Sequence, residues 1–260
     1  MLKMKTQSPF SDAPVFYRSE TDSTMIDIKS LASQGMPSGT VVLAGLQTAG
    51  RGRFAERKWT AGPDSLCFSV LFQLKDFPPI TGAVPLRAGL ALAITLEETF
   101  GLKPEIKWPN DVLIKGRKVA GILVESREEH IFIGMGVNCG RKSYPRDLKK
   151  TAICLREAGA KCKPEDLLVP VLQRMKTWIY GGEDWRNEIH RRLYAKDKLV
   201  TFLPGLSDGT GAFQALLLGI EEDGRLLLRP EGRTDAEAFA NGELRYSPPK
   251  KPFFPFFGKE

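Results

Sequence analysis

The 260-residue chain has no run of about 18 apolar residues, the length that crosses a bilayer as a helix. Its opening, MLKMKTQSPFSDAP, lacks the roughly 7 to 15 consecutive apolar residues of a secretory signal. Neither a helical membrane span nor export by that signal is expected, and the sequence reads as that of a cytoplasmic protein with no membrane partner. Only two histidines occur, His130 and His190, which leaves almost nothing for a histidine metal site or for Ser-His-Asp chemistry. The four cysteines, Cys67, Cys139, Cys154 and Cys162, show no C-x-x-C spacing, so they read as ordinary buried thiols rather than a zinc cluster or a disulfide framework. The absence of G-x-x-x-x-G-K-[ST] excludes a P-loop. Gly134-Met135-Gly136-Val137-Asn138-Cys139-Gly140 is one residue too long for G-x-G-x-x-G and follows a meander, which argues against a Rossmann site.

What is present suits a folded protein: 42% hydrophobic and 27% charged residues, enough to bury a full core. The length predicts one large domain and one small one. A net charge of +7 favours anionic partners without choosing among them.

Residues 14–18 read as a strand, and Asp22 or Ser23 offers an N-cap for a helix reaching Ser33. A β-rich run at 40–46 leads into QTAGRGRFAERKWTAGPDS, whose glycines, charges and lack of periodicity forbid a regular element. A strand follows at 66–74. Val84, Ala88, Leu92, Leu96 and Phe100 recur every fourth residue, predicting a core-facing helix over 81–100 that Gly101 stops. Strand-like segments at 105–108, 111–114, 118–125 and 130–137, joined by short polar turns, predict an antiparallel meander. Helices are expected at 164–180 and 183–195. From Lys198 to Tyr246 the chain turns to short alternating strands, the pattern of a small barrel. The expected division is 1–195, 196–247, and a Phe/Pro-rich tail at 248–260.

Three segments gather cations and backbone amides where an anion could sit. Gly50-Arg51-Gly52-Arg53 combines close backbone approach with two guanidiniums able to clamp phosphate or carboxylate. Lys107-Trp108-Pro109-Asn110-Asp111 fixes polar side chains at a strand end. Arg117-Lys118 opens a strand that turns wholly apolar, so Lys118 could deliver a charge into a pocket. Taken singly, a solvated basic loop, a turn and a hairpin cation explain them equally well.

In combination they resemble a known family. Ser23-Thr24, Gln47-Thr48-Ala49-Gly50-Arg51-Gly52-Arg53 with Arg57-Lys58-Trp59, KWPND at 107–111, RKVAGILVE at 117–125 and GMGVN at 134–138 match, in order and spacing, the biotin–protein ligases. The resemblance runs from about Phe16 to Tyr246 and corresponds to the stand-alone form, without an N-terminal DNA-binding domain. It implies an α/β (α+β) fold: a mixed, largely antiparallel sheet flanked by helices, as in class II synthetases, plus a small SH3-like C-terminal β-barrel. It also implies a two-step reaction. Biotin and ATP give biotinyl-5′-adenylate and pyrophosphate, and the acyl group then passes to a lysine of a biotin carboxyl carrier domain, as in acetyl-CoA carboxylase. Biotin's carboxylate is already ionised near pH 7, so adenylation needs charge neutralisation and alignment rather than a base. Arg51, Arg53 and Lys118 would supply it, with Mg²⁺ on the phosphates.

Carried over motif by motif, Ser23, Thr24, Met25, Gln47, Arg51, Gly52, Arg53 and Lys118 would hold biotin. Arg53, Arg57, Trp59, Asn110, Lys118 and Asn138 would hold the nucleotide. Lys118, Arg51 and Asp111 would be catalytic, Asp111 serving the incoming lysine amine. No metal ligand is assigned. Two departures stand out: Met25 replaces the asparagine that usually follows the serine-threonine pair, and Phe54-Ala55-Glu56 lengthen the arginine loop. The alternatives are a lipoate–protein ligase or octanoyl transferase, against which KWPND, GRGR and the barrel argue, and a biotin-responsive DNA-binding repressor. Only about a dozen residues precede the first expected strand, too few for a DNA-reading domain, so no nucleic-acid partner is expected. Monomer and homodimer are both compatible with the sequence.

Overall fold

A computed structural model of the chain describes residues 1–53, 58–59, 62, 64–79, 81–140, 144, 148–205 and 211–245. The elements in order are β1 (Leu2–Gln7), β2 (Pro14–Thr21), α1 (Thr24–Ser33), β3 (Val41–Gln47), β4 (Gly50–Arg51), β5 (Lys58–Trp59), β6 (Ser65–Gln73), α2 (Val84–Phe100), β7 (Pro104–Lys107), β8 (Asp111–Ile114), β9 (Arg117–Arg127) and β10 (His130–Asn138). Then come α3 (Leu155–Ala158), α4 (Pro164–Tyr180), α5 (Trp185–Arg192), β11 (Leu199–Pro204), β12 (Phe213–Ile220), β13 (Leu226–Pro230), β14 (Glu237–Phe239) and β15 (Gly242–Arg245).

Eight strands form one sheet in the order β1-β2-β3-β6-β10-β9-β8-β7. Only the β2–β3 pair is parallel, because α1 carries the chain back across the sheet between them. The period-two alternation sorts side chains to two faces. Val42, Leu71 and Phe132 pack under α1 with Ile28 and Leu31, while Val41, Leu43, Val70, Phe72, Ile131 and Ile133 pack against α2 and α4. The expected meander of β7 to β10 is antiparallel throughout.

Helix α2 ends where its sequence says it should, at Gly101, whose φ of 63° places the C-cap in the left-handed region. It is buried on nearly every side. Ala88, Ala91, Leu92 and Leu96 face the large sheet, whereas Leu86, Leu90, Ala93 and Ile94 join a second core with Trp185, Ile189, Val200, Phe202, Leu217 and Leu228. The C-terminal strands, a five-stranded antiparallel sheet ordered β14-β13-β12-β11-β15, therefore share a core with the first part of the chain. We propose that 1–195 and 196–247 are units of topology rather than of packing. Among the described residues no helix is long and apolar enough to cross a membrane.

Several expectations change. The opening residues, expected to precede the first strand, form the edge strand β1, whose alternating Leu2-Lys3-Met4-Lys5 buries too little to announce itself. The stretch expected to hold no regular element contains the small β4–β5 pair, Gly50 opposite Trp59. Helix α5 stops at Arg192 rather than Ala195, because Leu193 bridges to Ile106 and Tyr194 N–H donates to Ile106 O at 2.9 Å. The short helix α3 went unread. The tail at 248–260 and the inserted Phe54-Ala55-Glu56 lie outside the described residues.

Candidate active site

A cavity of about 690 Å³ opens on the α1 side of the large sheet. Into it run the first residues of α1, the end of β3, the β4–β5 pair, the β7–β8 turn, and the middles of β9 and β10. Its size suits a small-molecule site.

One end is a polar cradle built around the start of α1. Ser23 caps the helix, its Oγ accepting from Met25 N–H at 3.3 Å. Thr24 donates twice to Gln47 Oε1, from its backbone N–H at 2.8 Å and from Oγ1 at 3.0 Å, and its hydroxyl lies 2.8 Å from Ser69 Oγ. Met25 and Leu123 supply the apolar lining beside this cradle.

The middle of the cavity is floored by glycine. Gly121 and Gly136 are register partners on β9 and β10, and the Trp59 ring lies across them. A Cβ on Gly136 would sit 2.4 Å from Trp59 Cε2, so any larger residue there would expel the indole. Lys118 reaches over the same patch. Its Nζ lies 5.8 Å from the Trp59 ring centroid and 2.6 Å from Asp111 Oδ1, with side chains 36% and 22% exposed. The backbone around Lys118 is fixed on its other side by the segment that lines the cavity at 148–152. Lys118 N–H donates to Thr151 O at 2.7 Å, and Ile153 N–H donates to Lys118 O at 2.9 Å.

The KWPND turn is held just as firmly. Its Trp108–Pro109 peptide is cis, Trp108 is buried with Nε1 donating to Gly224 O at 3.1 Å, and Asn110 Nδ2 donates to Ile122 O at 2.7 Å. Asn110 is thus tied to backbone, although it still lines the cavity. Asn138 is buried, its amide donating to Ile153 O at 3.3 Å. Beneath the cradle, burial pushes the Cys67 thiol up to about 11, against the opposing pull of Trp59 and Gln47 side chains, so this cysteine stays protonated and inert.

Of the residues expected from sequence, Ser23, Thr24, Met25, Gln47, Arg51, Gly52, Arg53, Trp59, Asn110, Asp111, Lys118 and Asn138 all line this one cavity. Arg57 lies outside the described residues. Arg53 also leaves its own loop, its Nη2 donating to Gly242 O on β15 at 2.7 Å. Sequence reading missed Tyr194, just after α5, and Glu243 and Arg245, which line the cavity from the C-terminal unit. The signal was there in β15, where Gly242 and Leu244 are buried and Glu243 and Arg245 alternate with them. Among the described residues no group of three His, Cys, Asp or Glu side chains could hold a metal ion. Of the described residues lining the cavity, only Asp111 and Glu243 carry carboxylates, too few for a Mg²⁺ cage built by the protein alone.

Comparisons with known proteins point the same way. A family model for the Biotin/lipoate A/B protein ligase family matches residues 15–138. The chain is 31% identical over 238 residues to the bifunctional ligase/repressor BirA of Bacillus spizizenii, covering 84% of this chain and 70% of that protein. It is 31% identical over 242 residues to the biotin–[acetyl-CoA-carboxylase] ligase of Paracoccus denitrificans, covering 85% and 98%. The structure of a biotin protein ligase from Aquifex aeolicus in complex with biotin and ATP superposes with a TM-score of 0.76 at 28% identity, covering 88% of this chain and 97% of that one. The chain belongs to the biotin–protein ligase family.

Proposed function

We propose that the protein is a biotin–[acetyl-CoA-carboxylase] ligase, which joins biotin to ATP as biotinyl-5′-adenylate and transfers the biotinyl group to a lysine of a biotin carboxyl carrier domain. The observation that carries this reading is the meeting, in one cavity, of the Ser23–Thr24–Gln47 cradle with the Lys118–Asp111 pair across a glycine floor. The cradle offers hydroxyls and an amide to a compact polar ring, and Lys118 offers a fixed cation where two anions must meet.

In the first step a biotin carboxylate oxygen attacks the α-phosphorus and the bond to the β-phosphate oxygen breaks, releasing pyrophosphate. No proton moves. The requirement is neutralisation and in-line placement, which Lys118 and Arg51 supply from the cavity wall. The Trp59 ring, which lies over Gly121 and Gly136, would face the nucleotide in this reading and shield the mixed anhydride from water. In the second step the carrier lysine nitrogen attacks the acyl carbon and AMP leaves, with loss of one amine proton. In this reading Asp111, paired with Lys118 at the cavity, accepts it. Any Mg²⁺ would rest chiefly on phosphate oxygens and water, and no step depends on a protein ligand to it.

The test is ATP–pyrophosphate exchange by the purified protein with biotin, lipoate or octanoate as the acid. Exchange with biotin alone is expected. Exchange with lipoate but not biotin would assign the chain to lipoate chemistry, and exchange with none would refute the adenylating step.

A further inference from the structure

Met25 stands where the resemblance leads one to expect asparagine, and the fold gives that departure a physical setting. The residue is 5% exposed and belongs to the small core beneath α1 with Ile28, Leu31 and Phe132, yet it also lines the cavity. Its thioether meets β10 at Gly134. A Cβ built on Gly134 would lie 2.9 Å from Met25 Sδ, 3.1 Å from its Cγ and 3.4 Å from Ser69 Oγ. The thioether and the Ser69 hydroxyl, itself bonded to Thr24, thus both border the space above Gly134.

We infer that Met25 sets the depth of the ring pocket, its thioether filling the space over Gly134 beside Thr24 and excluding acids whose ring is enlarged at the buried edge. The inference rests on the biotin reading above and adds to it a specificity determinant. The site discriminates by space rather than by a hydrogen bond, and one methylene of space in an apolar pocket changes kcat/KM by about 10- to 200-fold. Gly134 belongs to the same device. With a side chain there, the thioether would be pushed toward the cradle.

The experiment is ATP–pyrophosphate exchange with biotin and with biotin methylated on a ureido nitrogen, run on the wild type, Met25→Ala, Met25→Leu, Gly134→Ala and the Met25→Ala/Gly134→Ala double variant. The quantity read is the ratio of kcat/KM for the methylated acid to that for biotin, which cancels the loss of the N–H donor common to all variants. Met25→Ala should raise the ratio about tenfold or more, with its effect on biotin falling on KM more than on kcat, while Met25→Leu holds the wild-type ratio. Gly134→Ala should raise the biotin KM, and adding Met25→Ala should reverse that rise. An unchanged ratio in Met25→Ala, or an equal change in Met25→Leu, would overturn the inference while leaving the biotin reading intact. Should either single variant fail to fold, the double variant still decides: no gain in the ratio there overturns the inference. Absence of biotin exchange in the wild type is a separate outcome, visible before any variant is made, and it overturns the biotin reading and this inference together.

Discussion

Removing the Lys118 ammonium should be the most damaging single change to adenylation, and the structure gives the size of the effect. Its Nζ lies 2.6 Å from Asp111 Oδ1, with the two side chains 36% and 22% exposed. Unit charges near 4 Å apart in an effective dielectric near 20 interact by about 4 kcal/mol. Partial exposure reduces this to ~3 kcal/mol for a cation beside the reacting anions, or about 10²-fold in rate. Lys118→Ala does more than delete that attraction. It leaves the Asp111 carboxylate unpaired and facing two anionic reactants, so the expected loss in kcat/KM for biotin-dependent exchange is roughly 10²- to 10³-fold. Asp111→Asn should cost adenylation no more than about tenfold, its larger effect appearing in transfer to the carrier lysine. The double variant Lys118→Ala/Asp111→Asn should then recover, to a loss of about 10²-fold, well short of the product of the two single losses. Thermal unfolding of each variant separates loss of the site from loss of the fold. A Lys118→Ala enzyme within about threefold of wild type, or a double variant whose loss equals the product of the singles, would refute the reasoning.

Three further expectations concern the scaffold. Arg87 is 9% exposed, donates Nη1 to Trp178 O at 3.0 Å and to Gly181 O at 3.2 Å, and lies over the Trp185 ring at 4.7 Å; Arg87→Met, which strands both carbonyls at the end of α4, should cost about 2 to 4 kcal/mol in urea unfolding, and a loss under about 0.5 kcal/mol would contradict this. His190 Nε2 accepts from Ile220 N–H at 2.9 Å, and burial, aided by Arg186 and Lys196, holds its pKa below the usual 6.5. Its contribution is therefore complete above pH 6.5 and is lost as the pH falls through the lowered folded-state value, so unfolding followed between pH 7.5 and 5 should show a decline that His190→Gln, which keeps an acceptor but cannot titrate, flattens. The Cys139 thiol hydrogen-bonds Cys162, lowering the pKa of the half-buried Cys162 while raising that of buried Cys139; with Cys67 pushed up to about 11 by burial, iodoacetamide near pH 7.5 should modify Cys162 first, and prior labelling of Cys67 or Cys139 would argue against that pairing.

Much of the fold was legible because local chemistry dictated it. The four-residue spacing in α2 with Gly101 after it, Pro164 opening α4, and Ser23 before α1 each act within a turn or two of chain. Elements whose stability comes from elsewhere were harder to read. β1 exists because β2 offers it an edge, and β4 pairs with β5 around Gly50 and Trp59, neither of which has an apolar period of its own. Residues 193–195 read as helix by composition but are drawn to Ile106 by a backbone bond across the fold.

For the site, the sequence by itself determined which chemistry is available. Too few histidines, no phosphate loop and no clustered thiols left three cationic motifs, a hydroxyl pair and a glycine-rich strand, and their order was enough to identify the family. It also showed that Met25 departs from that pattern. Only the tertiary structure decided what those residues touch: Lys118 against Asp111, Trp59 laid on Gly136, Met25 abutting Gly134, and Arg53 reaching Gly242 across 189 residues of chain. Glu243 and Arg245 enter the cavity for the same reason, because the packing of α2 between two cores joins the C-terminal strands to the first part of the chain. Residue identity and short-range spacing are written along the chain, whereas contacts between distant segments follow from how the buried faces are shared, which no local pattern records.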